Sequence, residues 1–159
     1  MILYHGSNLE VKVPQIIKSE NGRDFGQAFY LTPIKEHAEK WAKKKVIING
    51  SGIATISVFE FDELKEGLNC KTFKDADLEW LDFIILCRSN PKQEHGYDIV
   101  EGKIADDSVG ETVNYVRAGV MRREDAIERL KYERINYQLA FCTSKSLQHL
   151  KFKESYKAK

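Results

Sequence analysis

The run Asp24-Phe25-Gly26-Gln27-Ala28-Phe29-Tyr30-Leu31-Thr32-Pro33 carries most of the architectural information in this chain. Gly26 to Leu31 is a brief apolar segment that reads as a strand, and Thr32-Pro33 closes it. Thr at an N-cap followed by Pro at the first helical position signals a helix start: the hydroxyl accepts an orphan N–H, and the proline ring presets φ. Ile34, Ala38, Trp41, Ala42 and Val46 then recur at helical spacing, which predicts a helix over 33–46. Upstream, Ile2-Leu3-Tyr4-His5 predicts a short strand ended by a Gly6-Ser7-Asn8 turn. Pro14 to Asp24 reads as a polar surface loop able to cover a cleft.

Downstream, Asn49-Gly50-Ser51-Gly52 breaks the helix, and Ile53 to Phe61, rich in β-branched and aromatic residues, predicts a strand. Asp75 or Asp77 is expected to cap a helix reaching Ser89, where Asn90-Pro91 stops it. Tyr97 to Val100 reads as a buried strand, 108–118 and 123–133 as helices, and Tyr137 to Cys142 as a further strand. Thr143 is placed to cap a short helix, with a last strand near Phe152 to Tyr156, although Lys151, Lys153, Lys157 and Lys159 also suit a basic tail over 151–159. Strands and helices mix without strict βαβ alternation, so the expected class is α+β in a single domain, 1–159.

Composition narrows the function classes. The chain has 159 residues, 42% hydrophobic and 31% charged, enough to form a core and too apolar for disorder. A formal charge of +1 implies no bulk attraction to nucleic acid or anionic membrane. Charge is uneven locally: 60–82 is mainly acidic, while Lys40, Lys43, Lys44 and Lys45 cluster on the predicted helix. The three cysteines, Cys70, Cys87 and Cys142, have no CxxC spacing and read as reduced thiols. No basic-plus-apolar leader opens the chain and Phe83 to Cys87 is far too short to span a bilayer, so a cytoplasmic, membrane-free protein is expected. Zinc-site, Walker A, GxGxxG and GxSxG patterns do not occur, His5, His37, His95 and His149 share no ligand spacing, and no metal is expected.

Aromatic and polar residues at strand ends remain as candidate chemistry: Tyr4-His5-Gly6-Ser7, Phe25-Gly26-Gln27-Ala28-Phe29-Tyr30 with Trp41 eleven residues beyond Tyr30, and the strand holding Gln138. In this order they resemble the His-Tyr-Glu branch of the ADP-ribosyltransferase superfamily, the diphtheria-toxin and poly(ADP-ribose)-polymerase type. The chain also resembles a family of short, uncharacterised bacterial proteins that open Leu-Tyr-His-Gly-Ser and carry Asp-Phe-Gly-x-Gly-Phe-Tyr-Leu-Thr. The likeness covers nearly the whole chain. It implies a split β-sheet core with flanking helices, NAD+ as co-substrate without a metal, and transfer of ADP-ribose to a protein or nucleic acid with release of nicotinamide. A bacterial toxin with a neutralising partner protein fits the same likeness.

The resemblance also implies roles. The Gly6 backbone would pair with the nicotinamide carboxamide, and His5 would hydrogen-bond the adenosine ribose. Tyr30 and Trp41 would sandwich the nicotinamide, Ser7 would assist nearby, and Arg23 would meet the pyrophosphate. The chain departs from the pattern at Gln138, where the family has its catalytic Glu, and at Ala28 and Ala38. A Gln amide accepts a ribose hydrogen bond but brings no negative charge to an oxocarbenium-like state and cannot act as a general base. Three states follow: a mono-ADP-ribosyltransferase that tolerates Gln138, one that borrows Asp24 or Glu133, or an inactive module that binds NAD or ADP-ribose.

Overall fold

Alternation along the first strand decides which layer each side chain joins. In the computed structural model, which describes residues 1–104, 107–131 and 136–159 and only the backbone at 107–108, β1 spans Ile2–Ser7. Leu3 and His5 point to one face of β1 and Tyr4 and Gly6 to the other, as the two-residue period of a strand requires. β1 pairs antiparallel with β3 (Thr55–Phe61), which pairs on its far side with β7 (Leu150–Lys157). A second sheet has the order β2-β6-β5-β4, built from Phe29–Leu31, Asn136–Phe141, Ile99–Ile104 and Cys70–Thr72, with only β4 parallel to its neighbour β5.

The two sheets share one apolar layer. Leu3, Phe59 and Phe61 from the first pack on Phe29, Leu31, Ile99, Leu139 and Phe141 from the second. Helix α1 (Lys35–Asn49) covers the outer face of the first sheet, setting Ala38 and Ala42 on Ile56 and Val58. Helices α2 (Leu78–Ser89), α3 (Asp107–Arg117) and α4 (Arg123–Leu130) cover the opposite face of the second sheet, where Trp80, Leu81, Ile84, Val113 and Leu130 surround Val100 and Ala140. A one-turn helix, α5 (Ser144–Leu147), links β6 to β7. The class is α+β, as expected. Among the described residues, no helix is long and apolar enough to cross a membrane.

One expectation is corrected and two open alternatives are decided. Thr32-Pro33 does not start the helix. Thr32 stays in the sheet, exchanging both main-chain hydrogen bonds with Tyr4, while its hydroxyl donates to Tyr137 O at 2.7 Å and accepts from Ile34 N–H at 3.1 Å. The helix therefore begins at Lys35, with Ile34 as an extended N-cap. Nor is 151–159 a loose basic tail, because β7 runs from Leu150 to Lys157 along β3, with Phe152 edge-on to Phe59. Its lysines suit an outer strand, where charge discourages pairing with other chains. Asp77, not Asp75, caps α2, through a hydrogen bond from Trp80 N–H at 2.9 Å. Tyr132 and Glu133, at the end of the expected last long helix, lie outside the described residues.

Candidate functional site

One backbone bridge, Tyr4 with Thr32, joins β1 to the end of β2. Tyr4 N–H donates to Thr32 O at 2.9 Å and Thr32 N–H to Tyr4 O at 3.0 Å. Antiparallel alternation then turns the N–H and C=O of Gly6 the same way as those of Tyr4, away from β3 and toward β2. In that register Gly6 stands opposite Tyr30. Among the described residues no main-chain hydrogen bond joins the two, because β1 continues into the first sheet and β2 into the second. The strands part over a donor and an acceptor of Gly6.

Gly6 is required here by contact. A Cβ on it would lie 2.0 Å from Ala38 O and 3.0 Å from Ala42 N, so the α1 backbone rests directly on this residue. That seat fixes α1 against β1, with Trp41 and Lys45 one turn apart on the helix. Trp41 is 38% exposed, and the Lys44 and Lys45 ammoniums each lie 5.6 Å from its ring centroid.

His5 closes the inner side. Its Nδ1 lies 2.8 Å from Tyr30 O, and since a carbonyl only accepts, Nδ1 carries the proton and Nε2 is left as an acceptor. The ring stacks on Phe29 with centroids 4.3 Å apart. Burial lowers its pKa from 6.5 to about 4; the Tyr30 carbonyl opposes that shift and the Lys45 charge adds to it. The sign of the linkage follows. An unfolded His5 takes up a proton below 6.5 and the folded one only near 4, so stability is full above 6.5 and falls as pH drops toward 4. The loss is about 1.4 kcal/mol per pH unit, about 3 kcal/mol in all. Urea denaturation at pH 7 and pH 5 is expected to show this slope and a His5→Gln variant to lack it; equal slopes in both would disprove the assignment.

Tyr30 is more deeply committed to structure than its expected stacking role requires. Its ring packs against the cluster around Phe25, and its hydroxyl donates to Gly26 O at 2.5 Å and accepts from Phe25 N–H at 3.2 Å. Burial raises its phenol pKa well above 10.0, so it stays neutral. Tyr30 thus clamps the turn after Arg23. His95 braces the same turn, its Nε2 donating to Phe25 O at 2.9 Å and its Nδ1 accepting from Tyr97 N–H. Among the described residues Tyr30 and Trp41 make no ring contact: Tyr30 is packed into the Phe25 cluster against the second sheet, while Trp41 stands exposed on α1, which covers the first.

Gln138 lies on β6 opposite Gly102, and Ala140, two residues on, lies between Tyr30 and Val100. Gln138 and Tyr30 therefore share one face of the second sheet, on a diagonal of adjacent strands. Asp24 is not a spare carboxylate beside them. It is buried in an ion pair with Arg88, whose Nε lies 2.7 Å away. Glu133 falls outside the described residues. Glu101, one strand over, belongs to the other face of the sheet, where it accepts from Lys65, Thr72 and the Tyr137 hydroxyl. Ser7 ends β1 with its hydroxyl donating to Asn8 Oδ1 at 3.4 Å.

The structure sets Gly6 opposite Tyr30 and His5 against the Tyr30 carbonyl, while Gln138 lies on the sheet face that holds the Tyr30 ring and Trp41 is exposed on α1. Lys45, one turn past Trp41 in the lysine run, lends a positive charge that helps hold the His5 pKa down. Among the described residues no group of three or more His, Cys, Asp or Glu is placed to hold a metal ion. A family model described as "Protein of unknown function (DUF3990)" matches residues 1–152. No curated protein and no solved structure matches the chain.

Proposed function

The chain belongs to the DUF3990 family of proteins of unknown function, so its activity is argued from the chemistry of the site, and we propose that it is an NAD-dependent mono-ADP-ribosyltransferase acting on a macromolecule of its own cell. The observation that supports this reading is the divergence of β1 from β2 next to Gly6, which leaves its N–H and C=O without a main-chain partner on β2, with neutral His5 held against the Tyr30 carbonyl. A primary carboxamide needs one donor and one acceptor side by side, which the N–H and C=O of Gly6 offer. The split two-sheet core with flanking helices fits the same superfamily.

In this reading, His5 Nε2 accepts a hydrogen bond from a ribose hydroxyl, and its low pKa keeps it neutral where the cell works. Trp41 supplies a flat face for the nicotinamide, with Tyr30 shaping the facing wall. The bond from ribose C1′ to the nicotinamide nitrogen breaks, and its electron pair neutralises the ring. The acceptor's lone pair forms the new bond to C1′, and its proton leaves to solvent. Gln138 orients the ribose through its amide but brings no charge to the developing cation.

That last point favours a second reading, a module that binds NAD or ADP-ribose and turns it over slowly or not at all, since Asp24 is already engaged by Arg88. Incubating the chain with adenine-labelled NAD and a bacterial lysate separates the two. Label on protein or nucleic acid with free nicotinamide supports transfer, whereas tight NAD binding without either supports the module. Because Tyr30→Ala would also remove core packing, the binding test belongs on Trp41. Trp41→Ala is expected to weaken NAD binding about tenfold, as loss of a stacking face does, and unchanged affinity by calorimetry would remove Trp41 from the site.

A further inference from the structure

We propose that the end of the first sheet where α1 turns into β3 is a docking surface for an anionic lipid bilayer. The three strands of that sheet finish level there, with Ser7 and Lys157 both paired to Thr55. α1 ends at Asn49, Gly50 caps it with a left-handed φ of 65°, and residues 50–54 lead straight into β3. This link is tied back to β1, as Ile53 N–H donates to Asn8 O at 2.8 Å and the Asn8 side-chain amide donates to Ser51 O at 3.3 Å. Ala158 N–H donates to Ala54 O at 2.8 Å, which holds the residues after β7 at the same pole.

Two properties coincide at this pole. Ile47, Ile48, Ile53 and Leu9 are 80%, 60%, 56% and 55% exposed, so four aliphatic side chains stand in water rather than in the core. Single exposed aliphatics are ordinary, whereas several gathered at one end mark a contact surface. The second property is charge. No acidic residue occurs between Glu39 and Glu60, while Lys40, Lys43, Lys44 and Lys45 do, and β7 adds Lys157 beside Thr55. Lys43 and Lys44 lie one turn before Ile47 and Ile48 on the same sides of α1. Glu10, next to Leu9, is paired with Lys12. The opposite end of β3 has the other sign: Leu64, 72% exposed, stands in the run Asp62 to Glu66, which holds three acids and one lysine. A formal charge of +1 therefore conceals a basic pole. Nucleic acid would pair with the lysines but leave the isoleucines in water. Side chains exposed this far sit on a convex surface, not in a groove for a peptide. A bilayer surface takes both features at once: aliphatic groups enter the boundary between headgroups and acyl chains, while lysine stems lie along it and their ammoniums meet lipid phosphates. Among the described residues no helix can cross a membrane, so the contact is peripheral. The inference does not depend on the dinucleotide reading.

Co-sedimentation of the full chain with vesicles tests this, using phosphatidylcholine alone and phosphatidylcholine with about one third phosphatidylglycerol, each at low and high salt. The parent is expected to bind the anionic vesicles at low salt and to leave them at high salt. Ile47→Ser with Ile48→Ser is expected to weaken that binding about tenfold. Lys40→Gln, Lys43→Gln and Lys157→Gln together are expected to weaken it about a hundredfold, about fivefold per charge. Arginine at the same three positions is expected to retain it, since charge is what the surface needs from them. All these side chains are exposed, so a melting temperature like the parent's separates lost binding from lost folding. Leu64→Ser, which removes an exposed aliphatic group from the acidic end, is expected to bind like the parent. Parent chain left in the supernatant with anionic vesicles, equal binding to neutral vesicles, or equal binding by the triple glutamine variant overturns the proposal. A parent that ignores vesicles but retards duplex DNA or binds poly-glutamate overturns it too, and reassigns the pole to a nucleic acid or an acidic protein.

Discussion

Gln138→Glu is expected to accelerate nicotinamide release from NAD about a hundredfold. The substitution keeps shape and length and exchanges a neutral amide for a carboxylate on the face that Gln138 shares with Tyr30. The rate-limiting bond cleavage builds positive charge on the ribose, and a fixed opposite charge next to it in a half-buried site is worth about 3 kcal/mol, or about two powers of ten. The fold should be indifferent, because the cross-strand neighbour is Gly102 and the position is not sealed in the core. A fluorescent NAD analogue or direct nicotinamide quantification measures the effect. An unchanged rate would mean that Gln138 does not face the scissile bond. A parent with no turnover beside an active Gln138→Glu chain would identify the natural protein as the binding module.

The second large effect concerns stability. Gly6→Ala is expected to lower the unfolding free energy by about 3 kcal/mol, since the new methyl would sit 2.0 Å from Ala38 O and α1 must lift off the sheet. For a chain of this size the melting temperature should drop by about 10 °C. Gly50→Ala is the informative comparison: that residue caps α1 at φ 65°, and a methyl added to it would meet nothing within 4 Å. It carries only the left-handed backbone penalty, about 1 kcal/mol. Equal losses at the two positions would show that α1 is not seated on Gly6. Gly6→Ala should also reduce NAD affinity more than Gly50→Ala, because lifting α1 moves Trp41 and Lys45.

The layers of the fold were legible where apolar residues repeat with a clear period. Strands around Leu3, Phe59 and Leu139, and the helices bearing Ala38, Leu81 and Val113, all lie where alternation and helical spacing place them. β4 escaped notice because its three residues, Cys70-Lys71-Thr72, owe their place to β5 rather than to any pattern of their own. Thr32 misled because its hydroxyl and backbone answer to Tyr137 and Tyr4, partners remote in the chain, before they answer to the helix. The site divides in the same way. His5-Gly6-Ser7 and the Phe25 to Tyr30 run can be found by type and order, but the seat of Ala38 on Gly6 and the engagement of Asp24 by Arg88 are contacts between residues remote in the chain, without local signature.

The pairing of β3 with both β1 and β7 has a consequence for how the molecule assembles. The first sheet takes strands from near both ends of the chain, and the second joins Phe29–Leu31 to strands much further along it. Neither sheet is a local unit, so loop-closure entropy must be overcome before either gains its hydrogen bonds, a topology that folds in milliseconds to seconds rather than microseconds. The gap next to Gly6 lies where the two sheets diverge, so it exists only once β1 and β2 are both in place. Partly folded chains would then have neither ligand site nor ligand stabilisation, and a ligand added early could not guide them to the native state.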